Sequence, residues 1–143
     1  MIRNKFLFYL LSFTWGLPMT LVGCIAAAAL LMTGHKPQKW GYCWCFEVGK
    51  SWGGVNLGPI IITSKNPSDY TKAHEHGHSL QNCQFGPFMI VISVLSMTRY
   101  WYRRIRVIIG KPDTTGYYSV WYEAQASTLG MEFIDWYNTK QND

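Results

Sequence analysis

From Phe6 to Met32 the chain carries no charged side chain, and only Ser12, Thr14 and Thr20 are clearly polar. As a helix rising about 1.5 Å per residue the run reaches about 40 Å, more than the roughly 30 Å of bilayer hydrocarbon, so it reads as a membrane helix. Arg3 and Lys5 ahead of it suggest a signal peptide, and Leu21-Val22-Gly23-Cys24 matches a lipoprotein cleavage box. The apolar run continues past that box from Ile25 to Met32, which favours a retained anchor. Gly16 and Pro18 are expected to kink it, the alternative being a tight helical hairpin that returns to its starting side. With 143 residues in all, the chain divides into an anchor, 1–34, and one further domain, 35–143.

The chemistry lies in His74-Glu75-His76-Gly77-His78. Residues four apart share one face of a helix, so His74 and His78 can offer two imidazoles to one zinc ion, with Glu75 beside the open position. Asn66-Pro67 provides a helix start, with Asn66 as cap, Pro67 at the first helical position and Asp69 in the first turn. The helix is expected to end near Gly86-Pro87. Before it, Trp40 to Glu47 suggests a short strand and turn. Val55 to Thr63 reads as a strand that Gly58-Pro59 restricts to an edge or bulge. After it, Tyr117 to Asn138 reads as the last helix.

A catalytic zinc takes three protein ligands and leaves one position for water. His76 and Cys83 fall on the wrong face of the motif helix to supply the third. A glycine and a third histidine placed as in the long zinc-protease signature are absent, because Gln81 and Gln84 stand there. A carboxylate on the last helix remains. Glu123 is favoured because Ala126 and Gly130, at i+3 and i+7, would let that helix approach the motif closely. Glu132 and Asp135 compete, although Glu132 faces the opposite way from Glu123. Glu75 is the expected general base and acid. Tyr117, Tyr118, Tyr122 and the arginines are candidates to stabilise an oxyanion.

Three blocks carry a resemblance: Trp52 to Pro59 with the isoleucines after it, Ala73 to Gln81 through Gly86-Pro87, and Tyr117 to Gly130. In these the chain resembles a family of small, uncharacterised bacterial membrane proteins of the zincin superfamily, of gluzincin-like type. The resemblance implies an α+β fold: an N-terminal membrane helix, then a minimal zincin-like domain of short antiparallel or edge strands, the motif helix, an apolar or re-entrant segment and a C-terminal helix bearing the glutamate. It implies a metallopeptidase with zinc on His74, His78 and Glu123 and with Glu75 catalytic. Such proteins tend to carry Asp four residues after the ligand Glu, bracing a zinc-bound histidine. This chain has Ser127 there, which can accept a hydrogen bond but brings no charge.

If those three residues bind one ion, the segment between them begins and ends on one side of the membrane. Phe85 to Thr98, about 21 Å as a helix, is also too short for a full crossing and is expected to dip and return or to lie against the bilayer. The net charge of +5 comes partly from Arg99, Arg103, Arg104, Arg106 and Lys111. Interleaved with Tyr100, Trp101 and Tyr102, these favour a membrane interface over nucleic acid, so the expected partners are a peptide or protein substrate and the lipid bilayer. Arg3 and Lys5 argue for a cytoplasmic amino terminus, while Lys36, Lys39 and Lys50 crowd the other end of the anchor. The basic run tips the balance towards a catalytic domain on the cytoplasmic side of a bacterial-type inner membrane. Four cysteines without framework spacing demand no oxidising compartment. The rival to a peptidase is a non-catalytic membrane protein with a structural or degenerate zinc site that binds a partner or lipid.

Overall fold

The computed structural model describes residues 1–116 and 120–142. It is an α+β chain in which α1 (Lys5–Phe13) and α2 (Leu17–Met32) precede four short strands, β1 (Gln38–Trp40), β2 (Cys43–Glu47), β3 (Gly54–Leu57) and β4 (Ile60–Thr63). Three long helices follow: α3 (Asp69–Phe85), α4 (Met89–Ile108) after a 3-10 turn at Gly86–Phe88, and α5 (Trp121–Asn142). The start expected for the last helix, at Tyr117, lies outside the described residues.

The sheet runs β1-β2-β4-β3, with β1/β2 and β3/β4 antiparallel and β2/β4 parallel. The stretch expected as one strand from Val55 to Thr63 is a hairpin. Leu57 pairs with Ile60, so Gly58-Pro59 forms the two-residue loop. Gly58 has φ +67°, which a glycine at the first loop position adopts without strain, and proline costs no ladder bond there. One edge of β3 is left without a neighbouring strand among the described residues.

The run Phe6–Met32 is likewise not a single helix. It breaks between Phe13 and Leu17, and the two pieces meet at 93°. At the break Gly16 packs on Asn82 so closely that a Cβ would lie 2.3 Å from its side-chain nitrogen, while Pro18 sits in the first turn of α2. By length and composition the bent pair suits a broken span or a re-entrant loop. Its inner face belongs to the core. Phe8 is fully buried beside Tyr42, Cys43, Leu80 and Phe133, and Met19 packs with Met89, Ile92 and Tyr122. Gly23, which the cleavage-box pattern picks out, sits where a Cβ would meet the Leu57 carbonyl oxygen at 2.1 Å.

The centre of the molecule is α3, packed between the sheet and α5 and buried from Ala73 to Cys83. Its start is set by Ser68, whose Oγ accepts from the Thr71 amide at 3.1 Å, so the cap falls two residues after Asn66. A helix this polar is costly to bury unless its side chains find partners. Ser79 Oγ accepts from Asn56 at 2.6 Å, and Asn82 donates to the Gly16 carbonyl at 3.4 Å. His76 stacks on Phe133 with centroids 4.1 Å apart, and its Nε2 accepts from the Tyr42 amide. Burial pushes the His76 pKa down to about 3, so it is a neutral core residue.

Taken by composition, Asp69–Ile108 is long and apolar enough to cross a membrane. It is not one rod. The 18 residue-to-residue steps from His78 to Ser96 would span about 27 Å as a straight helix, yet both side chains touch Glu123. The chain therefore folds back near Gly86, whose φ of +56° caps α3. Phe85 to Thr98 is accordingly the end of α3, the turn and the first half of α4.

Candidate metal centre

Helical spacing places His74 and His78 on the α3 face that meets α5. Two glycines allow the approach: a Cβ on Gly77 would lie 1.8 Å from the Ala126 carbonyl oxygen, and one on Gly130 would lie 1.8 Å from that of Ala73. With the backbones so close, Glu123, in the first turn of α5, reaches both histidines. Its Oε2 stands 3.1 Å from His74 Nε2 and 3.4 Å from His78 Nε2, and the three ligand atoms lie within 4.8 Å of one another. Glu123 is fully buried and both histidines are under a tenth exposed.

Metal–nitrogen and metal–oxygen bonds of about 2.0–2.2 Å give a tetrahedral ligand-to-ligand edge of about 3.3 Å, so the two histidine–carboxylate distances suit a shared metal ion. The tautomers fit as well. His78 Nδ1 lies 2.8 Å from Gln81 Oε1, an acceptor, because the Gln81 amide nitrogen donates to Tyr122 O and Gln125 Oε1. His74 Nδ1 lies 2.9 Å from Ser127 Oγ, whose own hydrogen goes to the Glu123 carbonyl. With both Nδ1 atoms donating, both Nε2 lone pairs point at Glu123. His74, His78 and Glu123 can therefore hold a metal ion. Ser127 occupies the bracing position that the resemblance assigns to Asp, and Tyr70 OH reaches it at 3.2 Å.

Burial lowers the His78 pKa, but Glu123, Glu75 and Gln81 together outweigh it and raise it above the ordinary 6.5. Burial raises Glu123, but its bonds to His74, His78 and Ser96 bring it well below the usual carboxylate range. Burial raises Glu75, with the two histidines opposing. In metal-free protein these shifts have definite signs. The contribution of Glu123 is complete above the ordinary carboxylate pKa and is lost as pH falls through its lower folded value. That of His78 is complete below 6.5 and is lost as pH rises through its raised value, while buried Glu75 becomes more costly above 4.5. Melts with chelator are expected to peak near pH 4.5–6.5. Added zinc, which competes with the His78 proton, should move that peak upward.

Glu75 lies under the edge strand: a Cβ on Gly54 would come within 2.8 Å of its Oε1. Together with His74, His78 and Glu123 it lines a cavity of about 1100 Å³ between β3 and α4. Ser96, on the α4 wall, donates to Glu123 Oε1 and leaves Oε2 for the histidines. Sequence reasoning missed Ser96 because nothing local separates it from the other small polar residues of an apolar run. Gln81 was readable as i+3 from His78.

The remaining candidates fall elsewhere. Glu132 and Asp135 are exposed and do not join the cluster. Cys83 faces α1, 3.4 Å from Ser12 Oγ. Tyr122 is buried in the Met19 cluster, whereas Tyr100, Arg103 and Arg104 line the cavity. Tyr117 and Tyr118 lie outside the described residues. Arg103 pairs with Asp113 at 3.2 Å, and Arg99 donates to Thr115 Oγ1, so part of the basic run pins the loop after α4. All four cysteines are free.

Ser127→Ala removes the acceptor for His74 Nδ1 and is expected to weaken metal affinity about 10–100-fold, while Ser127→Asp should strengthen it. Competition with a chromogenic chelator measures both. No family model, curated protein or solved structure matches the chain.

Proposed function

We propose that the chain is a membrane-associated zinc metallopeptidase of gluzincin-like type, with His74, His78 and Glu123 as ligands. The observation that carries this is the convergence of two histidine Nε2 atoms and one buried carboxylate oxygen, each held by a further side chain, beside a buried glutamate in a cleft. A donor set of two imidazoles and one carboxylate suits zinc. Bound there, zinc supplies a Lewis acid that eases loss of a proton from water and polarises a carbonyl.

The chain's own residues do the rest. Glu75, with its pKa raised by burial, takes the proton from the attacking water and returns it to the leaving amine. The unpaired edge of β3 offers backbone groups to an extended peptide, aligning it along the cleft. Gln81, Ser127 and Ser96 hold the ligands in register. Membrane association is supported by the exposed apolar faces of α2 and α4, including Ile25 at 72%, Met32 at 89% and Val94 at 59% exposure.

The test is zinc content and hydrolysis of a broad peptide library by full-length protein in detergent, before and after chelation. One zinc per chain and activity lost on chelation and restored by zinc are expected. Zinc without hydrolysis would instead indicate a structural site. Zinc content unaltered in both His78→Ala and Glu123→Ala would overturn the site itself.

A further inference from the structure

The first half of α4 turns an apolar face outward and a mixed face, with Met89, Ser93, Ser96 and Met97, towards the cleft. Met89 and Met97 line the cleft, whereas Ile90, Val91 and Leu95 are 40–56% exposed on a surface with no protein cover among the described residues. An exposed apolar helix face of this kind needs apolar surroundings. This surface continues onto α2, which packs on α4 through Met19 and Met89 and exposes Leu21, Val22 and Ile25. After Thr98 the same helix gains four arginines, with Trp101 and Tyr102 about half exposed among them and Ile105, Val107 and Ile108 still exposed beside them. Basic and aromatic side chains interleaved with exposed apolar ones suit the interfacial zone between lipid and water.

Ser96 lies two residues before Thr98, about 3 Å along the axis, and it holds Glu123. The candidate metal centre is therefore level with the start of that zone. From it the cleft runs one way between apolar side chains and the other way to Arg103 and Arg104, about 10–12 Å along α4. Arg103 is committed to Asp113, whereas Arg104 is exposed and has no carboxylate partner among the described residues.

Resting on the metallopeptidase assignment, we propose that the substrate is a polypeptide emerging from a bilayer and cut at the boundary. Its lipid-side flank is apolar, and its water-side flank is acidic and is selected by Arg104. Water adds across the peptide bond, leaving a carboxylate on one product and an amine on the other. A soluble peptide without an apolar flank leaves the lipid-side half of the cleft unfilled, while a basic water-side flank would face Arg104 with like charge.

Full-length zinc-loaded protein in phosphatidylcholine vesicles would be given single-span peptides that share one apolar segment and carry Glu-rich, neutral or Lys-rich water-side flanks. The Glu-rich flank is also supplied alone, without the span. Cleavage at least tenfold faster for the Glu-rich than the Lys-rich peptide is expected, with little cleavage of the free flank. Arg104→Glu should invert the order with zinc content unchanged. Equal rates across the flanks, or faster cleavage of the free flank, would overturn the proposal. If no peptide at all is cut, the metallopeptidase assignment fails. The cleft assignment is then judged by binding to the Glu75→Gln protein: the same order of affinities upholds it, and no order sinks it.

Discussion

Glu75→Gln is expected to retain one zinc per chain and to lose peptide hydrolysis by about 10²–10⁴-fold. Glutamine keeps the size of the side chain and can still lie beneath Gly54, but it cannot accept a proton. Burial holds the Glu75 carboxyl above its ordinary range, nearer to neutral pH, where a proton shuttle works best. His78→Ala should behave differently, losing metal and hydrolysis together, because its Nε2 is one of the convergent ligand atoms. Metal analysis alongside initial rates separates the two outcomes. Hydrolysis within a few-fold of wild type in the glutamine variant would remove Glu75 from the chemistry.

The second large effect concerns no polar group. Gly77→Ala and Gly130→Ala each place a methyl 1.8 Å from a carbonyl oxygen of the facing helix. A helix interior ordinarily gains about 1 kcal/mol from this exchange. Here backbone must move, because no flexible side chain stands in the way, and a loss of about 3 kcal/mol or more is expected. Separation of α3 from α5 would also draw Glu123 away from the histidines, so zinc affinity should fall in step with the melting temperature. Gly116, whose Cβ position meets nothing within 4 Å among the described residues, is the control: Gly116→Ala should change stability by no more than about 0.5 kcal/mol. Wild-type melting in both glycine variants would mean that the helices pack less tightly than described.

The parts legible in the sequence were those set by short-range geometry. A spacing of four puts His74 and His78 on one face, and Ala126 and Gly130 mark the side of α5 that comes close. Three-dimensional neighbours were illegible where the chain turns back unexpectedly. Gly16 and Pro18 mark where Phe6–Met32 bends, but composition does not register Asn82 packed against Gly16 or the size of the turn. Val55–Thr63 reads as one strand because β-branched residues sit on both sides of a loop only two residues long. Ser96 is 27 positions from Glu123, and their contact exists only because α4 folds back on α3.

Phe8 and Ser12 of α1 lie in the same core as α3, and Thr20 of α2 hydrogen-bonds back to the Ser12 carbonyl at 2.7 Å. Synthesis therefore delivers the apolar helices first, and the helix that carries the histidines can complete its burial only against them. Proteolysis in the Gly34–Pro37 link would not free a self-sufficient domain. It would release a fragment whose central polar helix has lost one wall, a natural target for quality-control proteases.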